Sequence, residues 1–342
     1  MGSCLFYHVE KERGAWYYLI RIVGMVQMGV ADIVTAEYMS DNAVFADAFN
    51  FLMFNGEKIV NPESLQAIDT KEITLPFNLN DEDETLEPVQ KYRDVLKSTV
   101  MRYNDDAAYV LLGIENQTHV HYAMPVRNMI YDSLQFGKQV SEVAAKHKRN
   151  KEHKGAAEYL SGFHKDDELI PVITLVINFD PEEWDGPTSL HDMMRSADPI
   201  VLKYTPDYKL NLIDPAFISE EKLKKFSTDL GEVLTLIKYS KDAKKFREYT
   251  LNNKDLTLDQ QAARVVNVIT DLNISISDGE EEIKMCDAMK QIIAEENAIA
   301  VLHKMISLLE RGRLTAEEAA EECNLSVEDF LKKKEEYEKN KH

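Results

Sequence analysis

The chain has 342 residues, of which 44% are hydrophobic, enough to bury one large domain with an appendage or two domains. Sixty acidic against forty basic residues give a net charge of −20, which excludes attraction to polyanions over the whole surface, so any nucleic-acid contact must be local. The three cysteines, Cys4, Cys286 and Cys323, are widely spaced and form no CxxC pair, which points away from a disulfide framework or a zinc knuckle and toward a reducing cytoplasm.

Residues 1–30 read as an N-terminal extension. Ala15 to Val30 is apolar but short and broken by Arg21, so no membrane span is expected, and no secretory cleavage site follows. The opening Met-Gly-Ser-Cys-Leu-Phe carries Phe6 where a myristoylation signal needs Ser or Thr, and Met25 or Met28 would serve as the true start.

From Asn42 to Phe54 the chain is apolar except for Asp47 and Asn50 among its inner positions, which predicts a buried helix capped by Ser40 or Asp41 and closed at Gly56. The acidic stretch from Pro62 to Glu87 reads as irregular. Two β-rich runs follow, Val89 to Arg102 and Ala107 to Gln117, separated by the turn residues Tyr103-Asn104-Asp105-Asp106. Pro125 suits a first helical turn, and the apolar spacing from Val126 to Ala144 predicts an amphipathic helix to about His147 with a basic end, Lys146 to Lys154.

Leu169 to Phe179 is almost continuously apolar, as in a central strand covered on both faces, and Tyr208 to Leu212 alternates as a half-buried strand. Leu223, Phe226, Leu230, Val233, Leu234 and Ile237 form one helical stripe. Thr257-x-x-Gln260 and Thr315-x-x-Glu318 each read as a capping box opening a helix. The stretch from Leu314 to Lys333 resembles a helix-turn-helix, but its acidic face suits protein contact better than DNA.

The hairpin carries the chemistry. If Tyr103 and Asp106 close a symmetric turn, Asp94 faces Glu115 across the strands, with Gln117 on the same face and Val95, Val110, Leu112 and Ile114 on the opposite, apolar one. Two facing carboxylates repel each other unless a cation compensates, and a hard divalent ion such as Mg²⁺ takes oxygen ligands of this kind. The plainer alternatives are a wet acidic face, or ion pairs with Arg93, Arg102 or Arg127. His119-x-His121 lacks a third ligand and reads as structural.

Four ordered blocks, Phe45-Ala46-Asp47, Tyr92 to Lys97, Gly113 to Gln117 and His121 to Met129, resemble the Rpn family of recombination-promoting nucleases and transposase-like proteins. The likeness continues through Glu183 to Pro187 and Ser189-Leu190-His191, covering roughly residues 32–241. It implies an α/β PD-(D/E)xK (restriction-endonuclease-like) mixed sheet flanked by helices over residues 31–250, with a C-terminal α-helical region over 251–342. It further implies a Mg²⁺-dependent endonuclease acting on DNA, with a homo-oligomer as one possible state.

Carried over by position, Asp94 and Glu115 become the metal-binding carboxylates and Gln117 stands where the wider superfamily has lysine. A neutral Gln117 can orient water or a phosphate oxygen but brings no charge. Lys97 or Arg127 would have to supply it, and strand parity puts Lys97 on the wrong face. Asp47 is the candidate for the helix-borne acid, because a carboxylate in so apolar a helix is costly to bury without purpose. Arg127 and Tyr131, one helical turn apart, are candidates for phosphate contact. Lys146, Lys148 and Arg149 form the candidate DNA footprint, or else a solvated helix end. A catalytically degenerate DNA- or partner-binding relative of the same fold is the alternative that Gln117 and the net charge favour.

Overall fold

The computed structural model describes residues 29–68, 94–103, 106–152, 155–195, 198–276 and 281–340. The readings placed on the N-terminal extension, on the acidic stretch beyond residue 68, on the start of the first β-run and on Asn104-Asp105 lie outside these residues. The chain divides into two compact units, the first taking residues up to Ala243 together with Gln261–Leu272, the second Lys244–Gln260 and Asn273–His342. Gln261–Leu272 thus belongs with the sheet-containing unit and not with the C-terminal helices.

In the first unit, helix α1 (29–40) leads directly into α2 (Asn42–Phe54). Asp41 caps α2, its carboxylate accepting from the amides of Ala43 at 2.7 Å and Val44 at 3.1 Å. At the other end Asn55 turns left-handed at φ 53° and Gly56 follows at φ 93°. A Cβ on Gly56 would meet the Lys225 carbonyl oxygen at 2.8 Å, so the position needs glycine for backbone and space alike. The buried Asn50 uses both ends of its amide on Ile59 and Val60, holding the chain that leaves the helix.

A five-stranded sheet runs in the order β1 (Gln66–Ala67), β2 (Val95–Tyr103), β3 (Asp106–Gln117), β4 (Val172–Asn178), β5 (Asn211–Ile213). The first three strands are antiparallel, while β3, β4 and β5 are parallel, which makes the sheet mixed. Helix α3 (Met124–Asn150) and the short α4 (Ala156–Ser161) fill the crossover between β3 and β4. Parallel neighbours need such a crossover and bury both faces of the strand, and β4 is buried from Thr174 to Asn178. Pro125 does sit in the first turn of α3, and the helix continues one turn past the end read from periodicity.

Strand pairing fixes which residues share a face. Tyr103 pairs with Asp106 and Val95 with Ile114, the register expected from a symmetric turn. Glu115 pairs with Val176, so Glu115, Val176 and, two residues earlier, Thr174 lie on the face covered by α3. Met124 and Trp184 pack on Val176 there. The opposite face carries Leu112, Ile114, Leu175 and Ile177, all fully buried. Lys97, also on that face, donates to Ser40 O and Asn42 Oδ1 at 2.6 Å and lies over the Phe45 ring.

Three elements depart from the sequence reading. The stripe from Leu223 to Ile237 is two helices, α6 (Glu220–Leu223) and α7 (Leu230–Tyr239), because the intervening turn binds Asp47. The strand expected over Tyr208 to Leu212 pairs regularly only as Asn211–Ile213, with Lys209 bridging Ser189. Thr257–Asp259 is not a capping box but strand β6, paired with β7 (Glu282–Lys284). Leu258 is fully buried in that pair, which outweighs local capping, and the next helix, α9 (Gln260–Thr270), starts only after it.

Gly231 gives α7 its close seat. A Cβ there would stand 2.6 Å from the Leu223 carbonyl oxygen and 2.9 Å from the Phe226 Cβ. Gly231→Ala, which helix propensity alone would favour, is therefore expected to destabilise the chain by about 1–3 kcal/mol in urea unfolding.

The second unit is mostly helical. Between α8 (Ala243–Asn252) and α10 (Met285–Glu310) lies the β6–β7 pair, and α11 (Ala316–Glu322) and α12 (Val327–Asn340) complete it. Met305, Ile306, Ala319, Ala320 and Phe330 form its small core. Thr315 and Glu318 make the reciprocal capping box read from the sequence, Ser326 accepts from the Asp329 amide at 3.1 Å, and Asn324 turns left-handed between the helices.

Candidate functional site

At the point where β2 begins and β3 ends, the two runs of the hairpin bring their acids together. Asp94 lies one step before the Val95–Ile114 pair, beside Glu115 on the neighbouring strand. Its carboxylate accepts from the Asn116 amide at 2.7 Å. Although much of the residue remains exposed, the carboxyl group is desolvated enough to raise its pKa. Asp32 raises it further, while the Asn116 hydrogen bond and Arg127 pull the other way.

Glu115 is fully buried in the sheet, and Arg127, from the first turn of α3, places its guanidinium 3.1 Å from the Glu115 carboxylate. Of the three arginines considered as partners, Arg127 is the one found, while Arg93 and the side chain of Arg102 lie outside the described residues. Arg127 Nε also donates to the Tyr131 hydroxyl at 3.1 Å, across the one-turn spacing that α3 imposes. Burial disfavours the charge on Arg127, but Glu115, then Tyr131 and Asp94, outweigh it and raise its pKa. Tyr131 is raised by burial first and by Glu115 second. The mutual influence of these groups marks one electrostatic cluster of Asp94, Glu115, Arg127 and Tyr131.

Gln117, two residues along the same face, is buried, and its amide nitrogen donates to the Asn116 carbonyl at 3.0 Å. One of the two N–H groups of the amide expected to orient a water or phosphate oxygen is therefore used on the main chain. Lys97 is turned to the helices on the other face, as strand parity required, so Arg127 is the cation beside the carboxylates.

Asp47 does not join this cluster. It is buried, but its two oxygens accept from the amides of Ser227 and Thr228 at 2.8–3.0 Å and from both hydroxyls. The burial that marked Asp47 as purposeful serves the turn before α7. The helix-borne acid near the site is instead Asp32 on α1, which accepts from the Thr118 hydroxyl at 2.8 Å and acts on Asp94. Asp32 is exposed on α1, and its partner Thr118 lies 86 residues further along the chain, so no local spacing tied it to the site.

The basic residues are not brought to the carboxylates either. Lys146, Lys148 and Arg149 are exposed on the last turns of α3, about 30 Å along the helix from Arg127. Lys154 and His153 lie outside the described residues. His119 pairs with Asp180 at 3.0 Å, in keeping with a structural role.

Comparison with family models, with curated proteins and with solved structures finds no match. The site must therefore be read from its own geometry. Asp94 and Glu115, with Asp32 beside Asp94, make an all-oxygen, anionic donor set. Carboxylate oxygens are the donors that a hard divalent cation such as Mg²⁺ takes, but Glu115 already has Arg127 as its cation, and among the described residues these three carboxylates are not drawn within 4.8 Å of one another as a three-ligand group. Among the described residues no helix is long and apolar enough to cross a membrane.

Proposed function

We propose that this chain is a divalent-cation-dependent endonuclease of PD-(D/E)xK type acting on DNA, of the kind the Rpn-like motif blocks imply, working in recombination or with mobile elements in a reducing cytoplasm. The observation that carries the reading is the convergence of Asp94, Glu115, Arg127 and Tyr131 where β2 begins and β3 ends, inside the mixed sheet. Asp94 and Glu115 are the residues that would hold Mg²⁺. Such an ion supplies an activated water and neutralises charge developing on the phosphoryl oxygen.

The remaining roles belong to the protein's own groups. Arg127 brings a permanent positive charge to the carboxylates and offers a donor to a phosphate oxygen, compensating for the lysine that Gln117 replaces. Tyr131 holds the Arg127 Nε and so sets the direction of the guanidinium. Gln117, buried two residues along the same face, gives one amide N–H to the main chain and keeps the other and its carbonyl oxygen for a water or phosphate oxygen. Lys146, Lys148 and Arg149 would neutralise phosphates at the far end of α3, which requires a duplex lying along that helix for about nine base pairs.

A second reading, a degenerate relative that binds DNA without cutting it, is favoured by the neutral Gln117 spending one N–H on Asn116 O and by Arg127 being seated on Glu115. Incubating supercoiled and linear duplex DNA with wild type, Asp94→Asn and Glu115→Ala, with and without Mg²⁺, separates the two. Wild type is expected to cut only with Mg²⁺, and each variant to cut at least about a hundredfold more slowly, as several kcal/mol of transition-state stabilisation pass through the cation. Equal rates in wild type and both variants would sink the assigned site. Salt-dependent DNA binding without cutting by any of the three would establish the second reading.

A further inference from the structure

A second cluster of ligating groups lies at the opposite end of α3 and has a different chemistry. His147, in the last turn, places Nε2 at 2.9 Å from Asp167 Oδ2 and Nδ1 at 2.9 Å from Glu152 Oε2. The ring of His164 stacks on that of His147, with centroids 3.5 Å apart. One ligand atom from each of His147, His164 and Asp167 lies within 4.8 Å of the other two. All three side chains are mostly covered, with 12%, 15% and 19% exposure, so a cation there would be partly desolvated yet reachable from solvent.

The local fold builds this arrangement. Gly162 ends α4 in a left-handed conformation at φ 69°, and a Cβ on it would stand 2.7 Å from the Ala144 Cβ, so only glycine lets the chain turn directly against α3. The chain then delivers His164 and Asp167 to His147. The His164 amide donates to Asp167 Oδ2 at 2.6 Å and orients the carboxylate.

We propose that His147, His164 and Asp167 form a binding site for a borderline divalent transition-metal cation of the Zn²⁺ class, distinct from the carboxylate pair at Asp94 and Glu115. Two imidazoles with one carboxylate suit Zn²⁺ and its neighbours, and are a poor match for Mg²⁺ or Ca²⁺. Ligand atoms around a tetrahedral zinc stand about 3.3 Å apart, so the His147–Asp167 hydrogen bond of 2.9 Å would open by a few tenths of an ångström to admit the ion. Glu152 provides the outer partner that ligating histidines usually have: by holding Nδ1 it presents Nε2 to the cation, and Asn150 in turn donates to Glu152 at 3.1 Å. Glu158, 3.8 Å from His164 Nε2, or water supplies the fourth position. Binding would replace the proton that His147 shares with Asp167, turn the His164 ring out of its stack so that both in-plane lone pairs meet one ion, and clamp the segment after α4 to the end of α3 that bears Lys146, Lys148 and Arg149. The site stands independently of the nuclease reading.

Full-length protein stripped with chelator and titrated calorimetrically with ZnCl₂, then with CoCl₂ under a visible spectrum, tests this. Wild type is expected to take one Zn²⁺ with saturable affinity and to give the visible absorption of Co²⁺ in a low-coordinate nitrogen and oxygen site. His164→Gln and Asp167→Asn are each expected to weaken binding at least tenfold, and Glu152→Gln by about tenfold with the stoichiometry kept. Circular dichroism checks that the variants fold, and the wild-type cobalt spectrum reports on the site even where one does not. Zinc affinity that is unchanged in the folded variants, or the absence of saturable binding and of a low-coordinate cobalt spectrum in wild type, would overturn the assignment.

Discussion

Arg127→Met is expected to destabilise the protein by about 3 kcal/mol, because it takes the paired guanidinium away from a fully buried carboxylate that lies beside Asp94. The figure is set at the low end for a broken buried pair because Arg127 keeps 28% of its side chain in solvent and water can partly replace it. Glu115→Gln removes the charge and should cost less than Arg127→Met. The double variant is expected to fall short of the sum of the two by at least about 1 kcal/mol, since the second change removes a partner already lost. Urea unfolding of the four proteins measures this cycle. Stability of Arg127→Met within about 0.5 kcal/mol of wild type would mean that Glu115 is not held as a carboxylate by Arg127. The cycle also bears on chemistry, because a site with Glu115 tied to Arg127 must exchange that contact for a metal, so added Mg²⁺ should reduce the measured coupling.

Asp47→Ala is expected to cost about 3 kcal/mol, equivalent to roughly 10 °C in melting temperature for a unit of this size, while sparing whatever cutting activity the folded protein has. The physical basis is the number of donors that lose their acceptor at once. The Ser227 and Thr228 amides and both hydroxyls converge on one buried carboxylate, and hydrogen bonds to a charged acceptor are worth more than neutral ones. Asp47→Asn should be intermediate, since the amide keeps one acceptor oxygen and turns the other position into a donor facing donors. Thermal unfolding with a parallel DNA-cutting assay decides the matter. A variant of normal stability that has lost cutting would return Asp47 to the catalytic site and contradict the turn-holding role.

The parts of the fold legible in the sequence are those with a local physical cause. Asp41 and Thr315 cap their helices through bonds to amides two or three residues away, and Pro125 fits the first turn of α3 by its own ring geometry. The hairpin register followed from the turn alone, because a two-residue period and a symmetric closure leave one pairing. That register placed Asp94 beside Glu115 before any tertiary contact was considered. The apolar run at β4 likewise announced a strand covered on both faces.

Other features were decided only when distant segments met. Asp47 looked purposeful for the right reason, its burial, but its partners lie 180 residues away in sequence and no spacing rule points to them. Thr257 carries a valid capping signature, overridden by pairing with a strand more than twenty residues further on that buries Leu258. Lys146, Lys148 and Arg149 read as a DNA footprint or a solvated helix end, and the unbroken α3 sets them about 30 Å from Arg127. His147, His164 and Asp167 have no motif spacing and converge only because Gly162 folds α4 back on Ala144. By itself, then, the sequence determined the caps, the hairpin register and the pair Asp94 and Glu115, since each depends on backbone geometry over a few residues. The tertiary structure alone decided that Arg127 neutralises Glu115, that Asp32 and not Asp47 lies near Asp94, and that two histidines meet a carboxylate at the far end of α3. Those outcomes depend on which surfaces are driven out of water together, and burial is a property of the whole unit.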